Sequence, residues 1–226
     1  MRHRFYLKPR REQLQIQLMI GFFVLLVILV TFYISWKSGV YWVGGVVFGI
    51  ILSVIAPFFD TPSLKKSGDL IYYSPLFLAE KPQDGKIILH GGTLFDYVFV
   101  IDRRTNGKQR TNFILQQYLE GLLNLIEVNQ NKKTENFKIS GTSYIINERT
   151  AQRVGFKVVK TDFLQKAILM VNYFNVLLTY SIAKGSLSFP KLSDTKTFET
   201  TIDKLIKQKD FIRDLNEKLK DNQTNR

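Results

Sequence analysis

The chain has 226 residues, no cysteine, two histidines (His3 and His90) and a formal net charge of +13. The missing thiols exclude a disulfide framework and a thiolate zinc site, and two histidines exclude a multi-histidine metal centre. The excess of Lys and Arg calls for a polyanionic neighbour, and a bilayer surface fits better than nucleic acid. There is no zinc-finger spacing, RNP-type aromatic signature or lysine-rich arm.

Residues 1–12 read as a basic cytoplasmic tail carrying Arg2, Arg4, Lys8, Arg10 and Arg11. Residues 13–36 carry no charge, residues 38–59 carry none, and Lys37 alone separates them. At 1.5 Å per residue, about 20 residues cross a hydrocarbon core of roughly 30 Å. Both runs exceed that length and are apolar all round, which separates them from amphipathic surface helices. They predict a transmembrane helical hairpin over 13–59, with spans at about 14–35 and 39–59. Phe32, Tyr33, Trp36, Tyr41 and Trp42 cluster at its turn, where an interface belongs. A cleaved signal peptide would share the basic start. The apolar region is too long for one, and a second span follows at once.

Basic residues set the orientation. The tail is rich in them, the loop has one, and Lys65 and Lys66 follow the second span. The positive-inside bias predicts a multi-pass inner (plasma) membrane protein with both termini cytoplasmic. Gly45 and Gly49 have small-xxx-small spacing. They are expected to pack the second helix on the first; the sharper reading is a dimer seam.

Residues 60–85 read as a connector punctuated by Pro62, Pro75 and Pro82, whose apolar residues lay it on the membrane or the domain. Residues 86–226 read as a basic cytoplasmic α+β domain. Strands are expected at 86–90 and 93–101 around Gly91-Gly92, with a turn at Asn106-Gly107. Thr111 is placed to cap a helix running to about 128, and 129–136 is polar. A strand follows at 137–146 with Gly141 as a bulge. Asn147 then caps a short helical turn that Gly155 ends, and 156–160 is a further strand. Asp162 with Gln165 resembles a capping box opening a helix that Gly185 closes. That helix, 163–183, admits three readings: a central helix of the domain, an interfacial helix, or a third span. Residues 198–219 read as one amphipathic helix with a stripe of Phe198, Ile202, Leu205, Ile206, Ile212, Leu215 and Leu219. It packs on its own domain or on a partner.

Motifs are sparse. His90-Gly91-Gly92 resembles the start of the oxyanion loop of lipases, but no G-x-S-x-G elbow accompanies it. Ser-x-x-Lys recurs four times in a lysine-rich chain and is unspecific. There is no Walker loop and no G-x-G-x-x-G, so neither cofactor nor metal is expected. One polar constellation remains: His90, Asp96 and Arg149 as a candidate site. Lys65, Lys66, Arg103, Arg104, Lys108 and Arg110 are candidates for an anionic surface. The plainer reading is a solvated basic hairpin tip. The expectation is a membrane-tethered cytoplasmic domain for binding or assembly. Its partners would be the bilayer, anionic headgroups, another protein or a second copy. The alternative is a membrane-bound enzyme acting on an anionic lipid or lipid-linked substrate near His90.

Overall fold

A computed structural model of the chain describes residues 3–130, 137–143, 146 and 148–224. Helix α1 (Arg10–Ser38) ends at Gly39, and α2 (Tyr41–Ser67) ends at Gly68; both glycines take the left-handed conformation that closes a helix. Each helix is long and apolar enough to cross a membrane. Close approach in the hairpin comes from Gly44, where an added Cβ would lie 3.0 Å from Ser35 Oγ. Gly45 and Gly49 have nothing within 4 Å at that position, so the spaced glycine pair does not pack α2 on α1.

Helix α2 continues past Pro57 and Pro62. A proline has no N–H, so each leaves the carbonyl four residues earlier without its helical donor. Those carbonyls belong to Ser53 and Phe58. The Asn175 side chain donates to the Ser53 carbonyl at 2.6 Å, and Gln17 of α1 donates to the Phe58 carbonyl at 3.1 Å. Amides from other helices thus replace the bonds the prolines remove, and the helix continues.

Residues 60–85, read as a connector, carry regular structure. The first eight residues extend α2, and the rest forms β1 (Leu70–Ser74) and β2 (Phe77–Glu80), with Leu76 to Ala79 buried. β3 (Lys86–Gly91) follows as expected. Residues 93–101 are not a strand. Thr93 and Asp96 form a reciprocal capping box that starts α3 (Leu94–Val100). The Asn106-Gly107 pair is not a hairpin turn either. Asn106 and Gln109 form a second capping box, so α4 (Gly107–Asn129) begins earlier than Thr111.

β4 (Lys138–Ser143) keeps unbroken register with both neighbours, and Gly141 pairs with Leu89 and Phe198 without a bulge. Asn147 and most of 129–136 lie outside the described residues. Then come α5 (Glu148–Arg153), β5 (Lys157–Val159), α6 (Phe163–Val171) and α7 (Tyr173–Lys184). Asp162 caps α6 by accepting from the Gln165 N–H at 2.6 Å, and Gly185 closes α7. The predicted single helix over 163–183 is in fact two, bent by 74° at Asn172. The predicted helix over 198–219 also divides. The β-branched run through Thr197, Thr200 and Thr201 forms β6 (Lys196–Thr201), and α8 (Ile202–Lys207) and α9 (Lys209–Thr224) follow.

The sheet order is β1-β2-β3-β4-β6-β5. Among the described residues only β3 and β4 run parallel, joined through the crossover of α3 and α4. α4 packs on β1, β2, α7 and α9, while α2 meets α3, α7 and β1. The core joins Ile87, Leu89, Ile139 and Phe198 of the sheet to Leu119, Leu122, Leu125 and Ile126 of α4. The mixed α+β architecture after two long apolar helices is therefore as read; several element types are not.

Candidate functional site

The three expected site residues do not meet. Asp96 is fully buried on α3, and its partners come from the N-terminal segment and β1. Its Oδ1 accepts from the Tyr72 hydroxyl at 2.7 Å and lies 3.1 Å from His3 Nε2. Its Oδ2 accepts from the Thr93 N–H at 2.7 Å and the Thr93 hydroxyl at 2.9 Å. His3 is also fully buried, stacked on Phe95 and beside Tyr6, and its Nδ1 has no partner.

The basic tail is consequently a folded plug where it is described, from His3 onward. Phe5 packs edge-on against Phe95, and the Arg4 guanidinium donates to the carbonyls of Val98, Phe99 and Ile101. Those are the last carbonyls of α3, which a cation stabilises. Lys65 places its ammonium 3.3 Å from the centroid of Tyr6 and 4.9 Å from that of Tyr72, two cation–π contacts. Burial pushes the Tyr6 phenol up to about 12; the Tyr72 hydrogen bond lowers it and the Asp96 charge raises it. Burial, then the charges of Asp96 and Tyr6, raise the Tyr72 phenol further. His3, Tyr72 and Thr93 converge on the buried Asp96, and the cluster is a latch that ties the N-terminal segment to α3 and β1.

His90 faces elsewhere. It stands on β3, its Nε2 is 2.8 Å from Glu80 Oε1, and the pair borders a cleft of about 1020 Å³. The cleft is walled on one side by Pro57, Thr61 and Leu64 of α2 and on another by Asn172 at the α6–α7 bend and Asn175 and Thr179 of α7. Its charged lining is Asp69, Glu80 and Lys81, two carboxylates against one ammonium, which does not favour an anion. At Gly91 an added Cβ would meet the Tyr118 hydroxyl, so this glycine lets the tyrosine close over β3.

Beside the cleft lies an apolar cavity of about 220 Å³ between the sheet, α4, α5 and α9. Leu89, Leu119, Leu122, Phe198, Phe211 and Leu215 are among its lining. His90, Gly91, Tyr118, Thr142 and Ser143 line both spaces, so cleft and cavity adjoin. Arg149 stands exposed on α5 and borders neither.

The basic residues divide by role. Lys66, Arg103, Arg104 and Lys108 are exposed. Lys65 is occupied by the two tyrosines. Arg110 is a clamp, donating to the carbonyls of Arg103 at 2.7 Å, Thr105 at 2.8 Å and Ile182 at 2.9 Å. Among the described residues no three His, Asp or Glu side chains converge as a metal ion would need.

Sequence reasoning missed Glu80, Tyr118 and Asn175 at the cleft and His3, Tyr6 and Tyr72 at the latch. Thr93-x-x-Asp96 was the one available signal, since a capping box is written in the sequence. The chain matches no family model, no curated protein and no solved structure in the comparisons made.

Proposed function

We propose that this is a membrane-tethered binding domain that takes an amphiphile from the adjoining leaflet. The polar end occupies the cleft at His90 and Glu80, and an acyl or isoprenoid chain occupies the apolar cavity. The observation that carries this reading is the adjacency of the two spaces through His90, Gly91, Tyr118, Thr142 and Ser143, with α2 as one wall of the cleft. The cleft has the volume of a small-molecule site. An apolar cavity of about 150 Å³ holds benzene, so 220 Å³ suits a chain segment on the order of eight to ten carbons. The lining favours an uncharged or zwitterionic headgroup over an anionic one.

The flanking Lys and Arg support a cytoplasmic domain on the inner membrane, with both termini on that side. Lys66, Arg103, Arg104 and Lys108 would then face anionic lipid, each attracted by about 1 kcal/mol when close to the surface. An assembly partner, or a second copy on the open Gly45/Gly49 ridge, is compatible with this reading.

Native mass spectrometry of the full chain released from mild detergent tests the proposal. The wild type should carry a chain-bearing amphiphile, and Leu119→Trp, which fills the cavity, should lose it while staying folded. Equal loading of both proteins, or none in either, sinks the proposal. A second reading rests on the His90–Glu80 pair, which has the form of an oriented general base. On that reading His90→Ala binds the amphiphile but stops its conversion, read as product in extracted lipid.

A further inference from the structure

The bent pair α6–α7 was open between a domain helix, an interfacial helix and a third span. Three observations bear on it. First, Asn175 near the start of α7 donates to the Ser53 carbonyl, which Pro57 leaves free. Ser53 lies within the uncharged run of α2, about 10 Å along the helix from Asp60 at 1.5 Å per residue. A carbonyl at that depth must be satisfied by protein, because lipid offers no donor. Asn175 therefore sits at the level of the outer hydrocarbon.

Second, α6 presents large apolar side chains to the outside. Phe163 is 87% exposed, Met170 72% and Val171 74%, with Leu164 and Ile168 beside them. Such a patch on a nine-residue helix needs cover. Third, the 74° bend at Asn172 turns α6 away from the line of α7. α7 climbs from Asn175 to Lys184, whose backbone meets Gly107 of the domain. It cannot continue across the bilayer through α6 at that angle. Lys166, exposed on α6, has a stem long enough to return its charge to the headgroups.

We infer that α6 lies in the plane of the leaflet that borders the domain, inserted by its Phe163, Leu164, Ile168, Met170 and Val171 face and held at depth by the Asn175–Ser53 bond. The apolar patch and the α1 and α2 spans thus share one bilayer. Amphipathic in-plane helices bury their apolar face by about 5–10 Å, which agrees with the depth of Ser53. The inference does not depend on what the cleft binds or on which side of the membrane the domain lies.

The test uses the absence of native cysteine. Val171→Cys and, as a control at an exposed position of α9, Glu217→Cys are labelled with an environment-sensitive fluorophore in the full chain, reconstituted in phosphatidylcholine vesicles. The Val171 label should shift to the blue and be quenched several-fold by lipids brominated near the upper acyl chain, with little quenching by aqueous iodide. The Glu217 label should show the reverse. Iodide quenching at Val171 equal to that at Glu217 overturns the inference. Strongest quenching by bromines at the chain ends also overturns it, since that depth belongs to a third span.

Discussion

Replacing Asn175 by leucine keeps the volume and removes the donor to Ser53. Two effects oppose each other. The Ser53 carbonyl loses its partner in an apolar setting, but the Asn175 Oδ1, buried without a partner, disappears as well. Side-chain hydrogen bonds in membrane proteins are worth about 0.6 kcal/mol on average and about 1.7 at most, so Asn175→Leu should cost about 1 kcal/mol. The diagnostic is the background. Pro57→Ala restores the backbone N–H that reaches Ser53, so in that variant Asn175→Leu should cost nothing or stabilise slightly. Reversible unfolding in mixed micelles gives the four stabilities of the double-mutant cycle, and the predicted coupling is about 0.6–1.7 kcal/mol. Equal losses in both backgrounds would show that Asn175 does not stand in for the bond Pro57 removes.

The latch should respond to Asp96→Ala. Tyr72, His3 and Thr93 lose their shared acceptor, at a cost of about 3 kcal/mol, and trypsin should cut after Arg4 much faster than in wild type; unchanged cleavage counts against the plug. The raised Tyr6 phenol gives a pH dependence. Between about pH 10 and 12 the unfolded chain releases this proton while the folded chain keeps it. Stability from this group is therefore full below pH 10 and is lost as pH rises through 12. Denaturation midpoints at pH 9 and 11 should differ less in Tyr6→Phe than in wild type. At Gly121 an added Cβ would run into the Phe77 ring, so Gly121→Ala should cost about 1–3 kcal/mol, measured as a lowered midpoint. Gly45→Ala, with open space at that position, should cost far less.

The hairpin was legible because its signal is local: length and the absence of charge are properties of a continuous run. The element at 93–101 was not. Its Leu, Phe, Tyr and Val residues carry strand propensity, and the capping box of Thr93 and Asp96, joined to burial on all sides, outweighed it. Asn106-Gly107 signals a turn in isolation, but Gln109 three residues on makes Asn106 a helix cap. The division of 198–219 turned on pairing with β4 and β5, which no helical periodicity displays. The latch was the hardest to see. His3 and Asp96 are distant in sequence, and a basic N-terminus normally reads as solvated. His90 was found as a residue of interest, but its carboxylate was Glu80 across the β2–β3 pair rather than Asp96.

The most direct test of an amphiphile site is the accessibility of the apolar cavity itself. Leu122 lines it and is nearly fully buried, and Leu122→Cys would introduce the chain's single thiol. In delipidated full-length protein, a hexyl methanethiosulfonate should label this thiol much faster than a charged sulfonate analogue. Added lyso-phosphatidylethanolamine should slow the labelling in a saturable manner, and Leu119→Trp should block it. Labelling by both reagents at one rate, or labelling by the hexyl reagent that this lipid does not slow, would contradict the account.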